Sequence, residues 1–259
     1  MTPDQFAKKL RASESTKWLY AAKVRQYLSW LNERGADQDS AQEFIDYLEA
    51  KGLKPNTVAS VANALRAYFD VQGKTLKLHA PKIRVGDPKY RTMDEVYRLL
   101  EAAKTPLEKC LVEVLFDTGC RISEILNLRV DDIDWDGGFI RVTRKGGRRE
   151  DVNISPQTME TLRSWLKIRK SRTSSVFMGM SYDYARKVLL RVAEHAGLEG
   201  FTIHQLRHSR AVQMRLQGAE LHDVQLHLGH QNIGTTANIY GRLTPTDLKK
   251  RIPDWRREQ

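Results

Sequence analysis

The chain has 259 residues, a length that allows two modest domains, each with a core of its own. Its composition, 41% hydrophobic and 29% charged, is that of a globular protein, and no apolar run approaches the ~20 residues needed to span a bilayer. The first residues, MTPDQFAKKL, contain no signal-peptide h-region, so we expect a cytoplasmic protein. The net charge of +11 favours a polyanionic partner, of which nucleic acid is the usual one.

The first part of the chain carries helical patterns only. Apolar residues recur every three or four positions in residues 13–35, and Gly35 is expected to end this helix. Ser40 has Glu43 three positions later, which is the spacing of a capping box, so a second helix is expected to begin at Ser40. A third pattern follows a Pro-Asn pair. The sequence therefore predicts a bundle of three to four helices.

A basic segment follows at residues 74–92, KTLKLHAPKIRVGDPKYRT. It holds six lysines and arginines against one acidic residue, whereas residues 1–73 hold ten against nine. Two prolines and a glycine within it break regular structure. We therefore predict a linker at 74–92 between a helical domain at 1–73 and a second domain at 93–259.

The second domain begins with helical sequence, and the spacing of its apolar residues then changes to the alternation typical of strands. Thr92 is expected to cap the first helix, and the apolar stretch that follows contains Cys110. Cys110 and Cys120 match neither a CxxC pair nor a zinc pattern, so we expect two buried free thiols. Residues 138–154 alternate around a pair of glycines, which predicts a β-hairpin. Helical patterns then return, so the fold is predicted to be mainly α with a small β-sheet (α+β).

Four separated stretches of the second domain carry side chains that can bind a phosphate or transfer a proton. They are TGCRISE with Arg121 and Glu124, RKGGRRE with Lys145, HQLRH with His204 and Arg207, and LGHQNIGTTANIY with His230 and Tyr240. Each has an ordinary alternative when taken singly: an exposed ion pair, a solvated turn lysine, a core histidine beside a surface arginine, and a packed tyrosine ring.

Together and in this order, these stretches resemble the tyrosine recombinase family, which is also called phage-integrase-like. That family has an arginine in a TGxRxSE context, a lysine on a hairpin turn, an HxxR helix, an LGH motif and a tyrosine about ten residues further on. The chain looks most like the small Xer-type and archaeal integrases. The resemblance implies a helical core-binding, DNA-binding domain at 1–73 and a tyrosine-recombinase catalytic domain with a short C-terminal tail at 93–259. It also implies that no arm-binding domain precedes residue 1.

The resemblance implies that Tyr240 is a nucleophile. A tyrosine suits this role because phenolate, with a pKa near ~10, is both a workable nucleophile and a workable leaving group. The product is a 3′-phosphotyrosine. Negative charge then gathers on the nonbridging phosphate oxygens, and the planar forks of Arg121 and Arg207 match that geometry.

The same resemblance assigns the remaining groups. Lys145 gives a proton to the leaving 5′-oxygen. His204 and His230 manage the proton at the tyrosine and hydrogen-bond the phosphate. Glu124 holds the arginine side chains in place.

The resemblance also implies a partner, duplex DNA with paired binding sites, enclosed by the two domains as a C-shaped clamp. Four linker residues are expected to contact phosphates and to fix register: Lys82, Arg84, Lys89 and Arg91. Tyr182, Asp183 and Arg186 are candidates for groove contacts, although a solvated helix face is the favoured interpretation for each.

Strand exchange in the family passes through a Holliday junction held by a homotetramer, which is two dimers on two DNA sites. No metal enters this scheme, and because the exchange is isoenergetic, no nucleotide cofactor is expected either. A zinc set of His222, His227 and His230 lacks a cysteine or a suitably placed acid to complete it. No membrane partner is expected, and an accessory protein is compatible with the family.

Two other classes of protein stay open at this point. One is a DNA-binding protein that kept the fold without the activity. The other is an enzyme similar to the type IB topoisomerases, which relaxes supercoils as a monomer. Within the family, integration and excision, dimer resolution and transposition all use the same active site.

Overall fold

The structure, a computed structural model, describes four stretches of the chain: 1–32, 34–83, 89–144 and 146–229. The chain divides into two compact units, residues 1–86 and 87–259. The described part is mostly helical with one three-stranded antiparallel sheet, which confirms the prediction of a mainly α fold with a small β-sheet. None of the described helices is long and apolar enough to cross a membrane.

Four helices form the first unit: α1 (Pro3–Lys9), α2 (Glu14–Leu31), α3 (Gln38–Ala50) and α4 (Pro55–Asp70). Helix α2 contacts each of the other three. Its apolar stripe places Tyr27 in a core with Phe6, Phe44 and Leu65, all of them fully buried.

Two expected helix boundaries in this unit were wrong. Helix α2 ends before Gly35, because Asn32 adopts a left-handed conformation with φ of 45° directly after Leu31. Helix α3 begins before Ser40, because the Asp37 carboxylate accepts the Ser40 amide at 2.8 Å. The Ser40 hydroxyl in turn accepts the Asp37 amide at 3.0 Å. Ser40 is therefore the third residue of a capping box whose cap is Asp37.

The chain after α4 runs along α3. Two glutamines one turn apart on α3, Gln38 and Gln42, bind its backbone. The Lys77 amide donates to Gln38 Oε1 at 3.0 Å, and the His79 amide donates to Gln42 Oε1 at 2.8 Å. Leu76 is buried in the bundle core. The first residues of the predicted linker thus pack within the first unit.

Seven α-helices, one short 3-10 helix (Val130–Asp132) and three strands form the described part of the second unit. The helices are α5 (Met93–Ala102), α6 (Pro106–Thr118), α7 (Ile122–Leu126), α8 (Pro156–Ile168), α9 (Tyr182–His195), α10 (Ile203–Leu216) and α11 (Leu221–Leu228). The strands are β1 (Ile133–Asp134), β2 (Phe139–Thr143) and β3 (Arg149–Asn153). Thr92 caps α5 as expected, accepting the Glu95 amide.

Helix α6 is the central element of this unit, since α5, α8, α9 and α10 all pack against it. Consecutive residues Cys110, Leu111 and Val112 are all fully buried, as a helix enclosed on every side requires. Cys110 and Cys120 are buried free thiols, which confirms that expectation.

The predicted hairpin is present as β2 and β3. Ile140 pairs with Val152 and Val142 pairs with Glu150. The alternation of the strand buries Ile140 and Val142 on one face. Both turn glycines have positive φ, 88° at Gly146 and 81° at Gly147, which a residue with a Cβ rarely adopts.

Candidate active site

The end of α6 brings distant parts of the chain together. Gly119 terminates the helix with φ of +58°, and a Cβ at this position would lie 2.5 Å from Leu228 Cδ2. A glycine is therefore required both by its conformation and by the close approach of α11. The Gly119 carbonyl accepts a buried hydrogen bond from Arg207 Nη1 at 2.7 Å. This bond fixes Arg207, which is only 2% exposed, against the turn that leads into Arg121.

Arg121 is held by Glu124 at two points. The Arg121 amide donates to Glu124 Oε2 at 2.9 Å, and Arg121 Nη1 donates to Glu124 Oε1 at 2.8 Å. The Glu124 side chain is 4% exposed, whereas that of Arg121 is 40% exposed. Helix α7 thus begins with an arginine that is anchored at its base and still reaches solvent.

A second arginine, Arg144, meets the same carboxylate. Its Nη1 donates to Glu124 Oε2 at 2.7 Å, and both side chains are 4% exposed. Burial by itself raises the pKa of Glu124, but the positive charge of Arg144 and the hydrogen bonds from Arg121 outweigh it and hold that pKa below its usual range. Glu124 is therefore an ionised carboxylate shared by two arginines.

A cavity of about 410 Å³ opens where these elements meet. Arg121, His204 and Arg207 line it, together with Tyr182 and Arg186 of α9. Three predicted residues from two separate motif stretches therefore lie around one cavity. Two guanidinium groups and an imidazole can bind a phosphate from several directions there.

The surroundings of His204 favour the neutral form of its imidazole. Partial burial, followed by the positive charges of Arg207 and Arg121, lowers the pKa of His204 from its ordinary value. Its ring also contacts the ring of His208 edge to face, with centroids 4.6 Å apart. A neutral imidazole can accept a proton or donate one hydrogen bond, depending on its tautomer.

The last turn of helix α11 contacts the end of α6 and Arg144. His227 Nε2 lies 3.1 Å from the Asp117 carbonyl of α6, and the His227 carbonyl accepts from Arg144 Nη2 at 3.2 Å. The helix ends at Gly229 with φ of +68°. Gly229 directly precedes His230 in the sequence.

The structure describes some of the predicted site residues and not others. It brings together Arg121, Glu124, His204 and Arg207. The predicted residues Lys145, His230, Tyr240 and Arg84, and the C-terminal tail, lie outside the described residues.

The predicted DNA-contacting residues of the linker differ in their surroundings. Lys82 and Lys89 are exposed. The Arg91 guanidinium instead bonds Glu95 at 2.9 Å and Gln205 Oε1 at 3.1 Å, and its side chain is 14% exposed. These contacts hold the start of α5 against α10.

Sequence reasoning missed Arg144 and its partner Glu150. Arg144 continues the inward alternation of Ile140 and Val142 along β2, and its Nε donates to Glu150 Oε2 at 3.0 Å. A charged residue at an inward position of an alternating strand is the signal that could have revealed it. Among the residues that the structure describes, no three His, Cys, Asp or Glu side chains are grouped closely enough to hold a metal ion.

Comparison with known proteins agrees with this site. The profile described as "Phage integrase family" matches residues 89–246. The chain is 32% identical over 252 residues to Tyrosine recombinase XerA of Thermococcus kodakarensis, covering 92% of this chain and 88% of that protein.

Solved structures share the fold. XerH site-specific recombinase bound to its difH substrate has a TM-score of 0.71 at 23% identity, covering 94% of this chain and 79% of that one. A lambda integrase tetramer bound to a Holliday junction has a TM-score of 0.73 at 18% identity, covering 93% and 78%.

The chain therefore belongs to the phage integrase family, as its four motif stretches indicated. Within that family it is an enzyme of the tyrosine recombinase class, and its likeness to XerA over nearly the whole chain makes it a recombinase of the Xer type.

Proposed function

We propose that this recombinase cuts and rejoins DNA at specific sites through a 3′-phosphotyrosine on Tyr240. The observation that carries the proposal is the meeting of Arg121, His204 and Arg207 around one cavity. Arg207 and Gly119, which are 88 positions apart, are joined there by a buried hydrogen bond. Such a convergence of phosphate-binding groups is what phosphoryl transfer needs, because its catalysis is mostly positioning and charge stabilisation.

In the proposed cleavage, the Tyr240 phenolic oxygen attacks the scissile phosphorus and the bond from phosphorus to the 5′-oxygen breaks. Arg121 and Arg207 stabilise the charge on the nonbridging oxygens. Lys145 gives its proton to the departing 5′-oxygen, which leaves as a hydroxyl. Attack by a 5′-hydroxyl of the partner strand reverses these steps and frees the tyrosine, so no external energy source is required.

The two histidines complete the proton balance. His204 is suited to accept the phenolic proton, because its lowered pKa keeps the ring neutral near pH 7. His230 is assigned to a hydrogen bond with the phosphate. Glu124 acts through another residue: it holds Arg121 by two hydrogen bonds.

Binding of DNA is assigned to both units. The exposed lysines Lys82 and Lys89, with Arg84, are assigned to phosphate contacts. Arg91 is assigned a smaller share of the phosphate contacts, because Glu95 and Gln205 already bind its guanidinium. Replacing Lys82 or Lys89 with glutamine should lower the slope of log affinity against log salt by about 0.9 each, and Arg91→Gln should lower it less.

The first test is covalent trapping. The protein is mixed with fragmented genomic DNA in EDTA and stopped with SDS, and the DNA that stays attached is sequenced. We expect attachment by the wild type and none by Tyr240→Phe. Both proteins should bind DNA equally in gel shifts, because the lost hydroxyl is a nucleophile and not a binding group.

Two outcomes would contradict the proposal. One is attachment that persists in Tyr240→Phe. The other is a wild type that binds a sequence but leaves no adduct on a nicked substrate built from it, since a nick lets the cut fragment diffuse away and traps any covalent intermediate. The second outcome would favour a DNA-binding protein without catalysis.

We further propose that the enzyme works as a homotetramer on two DNA sites. Support comes from the lambda integrase structure, a tetramer on a Holliday junction that shares this fold. Two differently labelled copies of the trapped site should be recovered together and should yield recombinant strands. Relaxation of a plasmid with a single site, without pairing of two sites, would favour the topoisomerase-like alternative.

A further inference from the structure

We propose that Arg144 is a positioning residue that aligns the hairpin carrying Lys145 with the rest of the active site; this inference rests on the proposed function. Lys145 follows Arg144 directly in the sequence. Arg144 therefore anchors the chain directly before the proposed proton donor.

Each nitrogen of the Arg144 guanidinium meets a different element. Nε donates to Glu150 Oε2 at 3.0 Å within the hairpin, and Nη1 donates to Glu124 Oε2 at 2.7 Å on α7. Nη2 donates to the His227 carbonyl at 3.2 Å at the end of α11. One planar group thus holds the hairpin to α7 and to the last turn of α11.

The backbone of Arg144 also forms two hydrogen bonds across the hairpin turn. The Arg144 amide donates to the Arg148 carbonyl at 2.7 Å, and the Gly147 amide donates to the Arg144 carbonyl at 3.0 Å. Arg148 also pairs with Glu150. The side chains of Arg144 and Arg148, one on each side of the turn, therefore share the Glu150 carboxylate.

Helix α11 approaches the guanidinium closely. A Cβ added at Gly229 would lie 2.5 Å from Arg144 Nε and 2.7 Å from its Cζ. The glycine of the LGH motif therefore allows the end of α11 to lie against Arg144. His230 follows Gly229 in the sequence, just as Lys145 follows Arg144. Each of these two proposed site residues is therefore next in sequence to one partner of this close approach.

A purely structural role would be served more simply by an apolar residue. The inward positions before it on β2 are Ile140 and Val142, which pack into the core. Burying an arginine between two carboxylates is no more stabilising than a well-packed apolar side chain of similar size. What the guanidinium adds is direction, because its planar fork fixes three partners at defined angles.

The test separates proton donation from the rest of the reaction. Single-turnover cleavage is measured on the trapped site and on the same DNA with sulfur replacing the bridging 5′-oxygen. A thiolate leaves without being protonated, because thiols are far stronger acids than alcohols. The sulfur substrate therefore does not depend on a well-placed Lys145.

Arg144→Lys keeps the charge and loses the fork, and Arg144→Gln loses both. We expect each to slow cleavage of the oxygen substrate by at least about tenfold and to cleave the sulfur substrate within about threefold of the wild type. Arg141→Gln is the matched control, because Arg141 lies on β2, shortly before Arg144, in an exposed pair with Asp151. It should cleave both substrates as the wild type does.

The proposal is overturned if Arg144 variants slow both substrates equally, or slow neither. It is also overturned if thermal melts show that neither Arg144 variant folds, since Arg144 would then be a structural residue. A wild type that cleaves neither substrate would instead mean that the proposed function has failed, and the wild-type reaction alone reveals this.

Discussion

The two units differ in what they bury. In the described part of the first unit, Ser40 is the one buried residue of polar type, and the rest of the core is apolar or aromatic. The second unit buries charged residues, among them Glu124, Arg144 and Arg207. Burying a charge is unfavourable unless a partner neutralises it, so these groups are not what a core needs for stability alone. The interior of the second unit therefore serves the active site as well as the fold.

The buried polar atoms of the first unit serve local structure. Ser40 Oγ lies 2.9 Å from the Tyr27 hydroxyl and completes the capping box of α3. In the second unit, Glu124, Arg144 and Arg207 instead link elements that are distant in sequence. Disrupting a buried charge should therefore affect chemistry, and disrupting the apolar core should affect stability only.

The largest expected effect is that of Glu124→Gln. The variant leaves Arg144 buried without its anionic partner and removes the anchor of Arg121. We expect the free energy of unfolding to fall by about 3–5 kcal/mol and single-turnover cleavage to fall by about 10²-fold or more. Urea unfolding and cleavage of the trapped site measure the two effects.

The matched control is Glu160→Gln on α8, where the carboxylate is exposed and pairs with Arg163. Its unfolding free energy should change by at most about 1 kcal/mol, with cleavage unchanged. If Glu124→Gln behaved as this control does, the buried network would have no special role.

Leu65→Ala tests the expectation that disrupting the apolar core of the first unit affects stability only. Leu65 is fully buried in the first unit, and the deletion should lower the stability of that unit by about 2–5 kcal/mol. Hydrogen exchange of peptides from α2 to α4 should report the loss, while peptides from α6 stay protected. Cleavage at saturating DNA should match the wild type; a tenfold loss there would show that the two units are coupled.

A smaller effect is expected for Ser40→Ala. The substitution removes the Ser40 hydroxyl, which accepts the Asp37 amide in the α3 capping box and is the partner of the buried Tyr27 hydroxyl. We expect a loss of about 1 kcal/mol in unfolding free energy. Ser29→Ala, at an exposed position in α2, should be neutral or slightly stabilising because alanine favours helix. Equal values for the two variants would contradict the capping role.

The sequence was most informative where the signal was local. Thr92 and the glycine hairpin follow from capping and turn chemistry, which a few neighbouring residues determine. Ser40 was misassigned because Asp37 offered an equally good cap three residues earlier, and local spacing alone does not choose between them.

The candidate site likewise has a part that local sequence predicts and a part that depends on tertiary packing. The motifs identified Arg121, His204 and Arg207 as site residues, but their meeting around one cavity depends on the packing of α6, α7 and α10. The alternation of β2 could have marked Arg144 as a buried charge, but its partners, Glu124 and the end of α11, are brought beside it only by tertiary packing. Buried charge is a tertiary property, whereas caps and turns are local.

A further expected effect is a change in the pH dependence of stability, and it comes from His208. Burial, followed by the charges of His204 and Arg207, lowers the pKa of His208 from 6.5 to about 4 in the folded protein. The unfolded chain therefore binds a proton below pH 6.5 that the folded protein takes up only near pH 4. The stability associated with the neutral ring is present above pH 6.5 and is lost as the pH falls toward about 4.

His208→Gln removes this difference in proton uptake, so urea unfolding at pH 7, 6 and 5 should show a shallower loss of stability than in the wild type. The matched control is His79→Gln in the first unit, because the His79 side chain is exposed and only its backbone is bonded, to Gln42. Its slope should equal that of the wild type. A constant offset between wild type and His208→Gln at all three pH values would mean that the histidine contributes packing alone. The acid sensitivity of the second unit would then have to arise from its other buried groups.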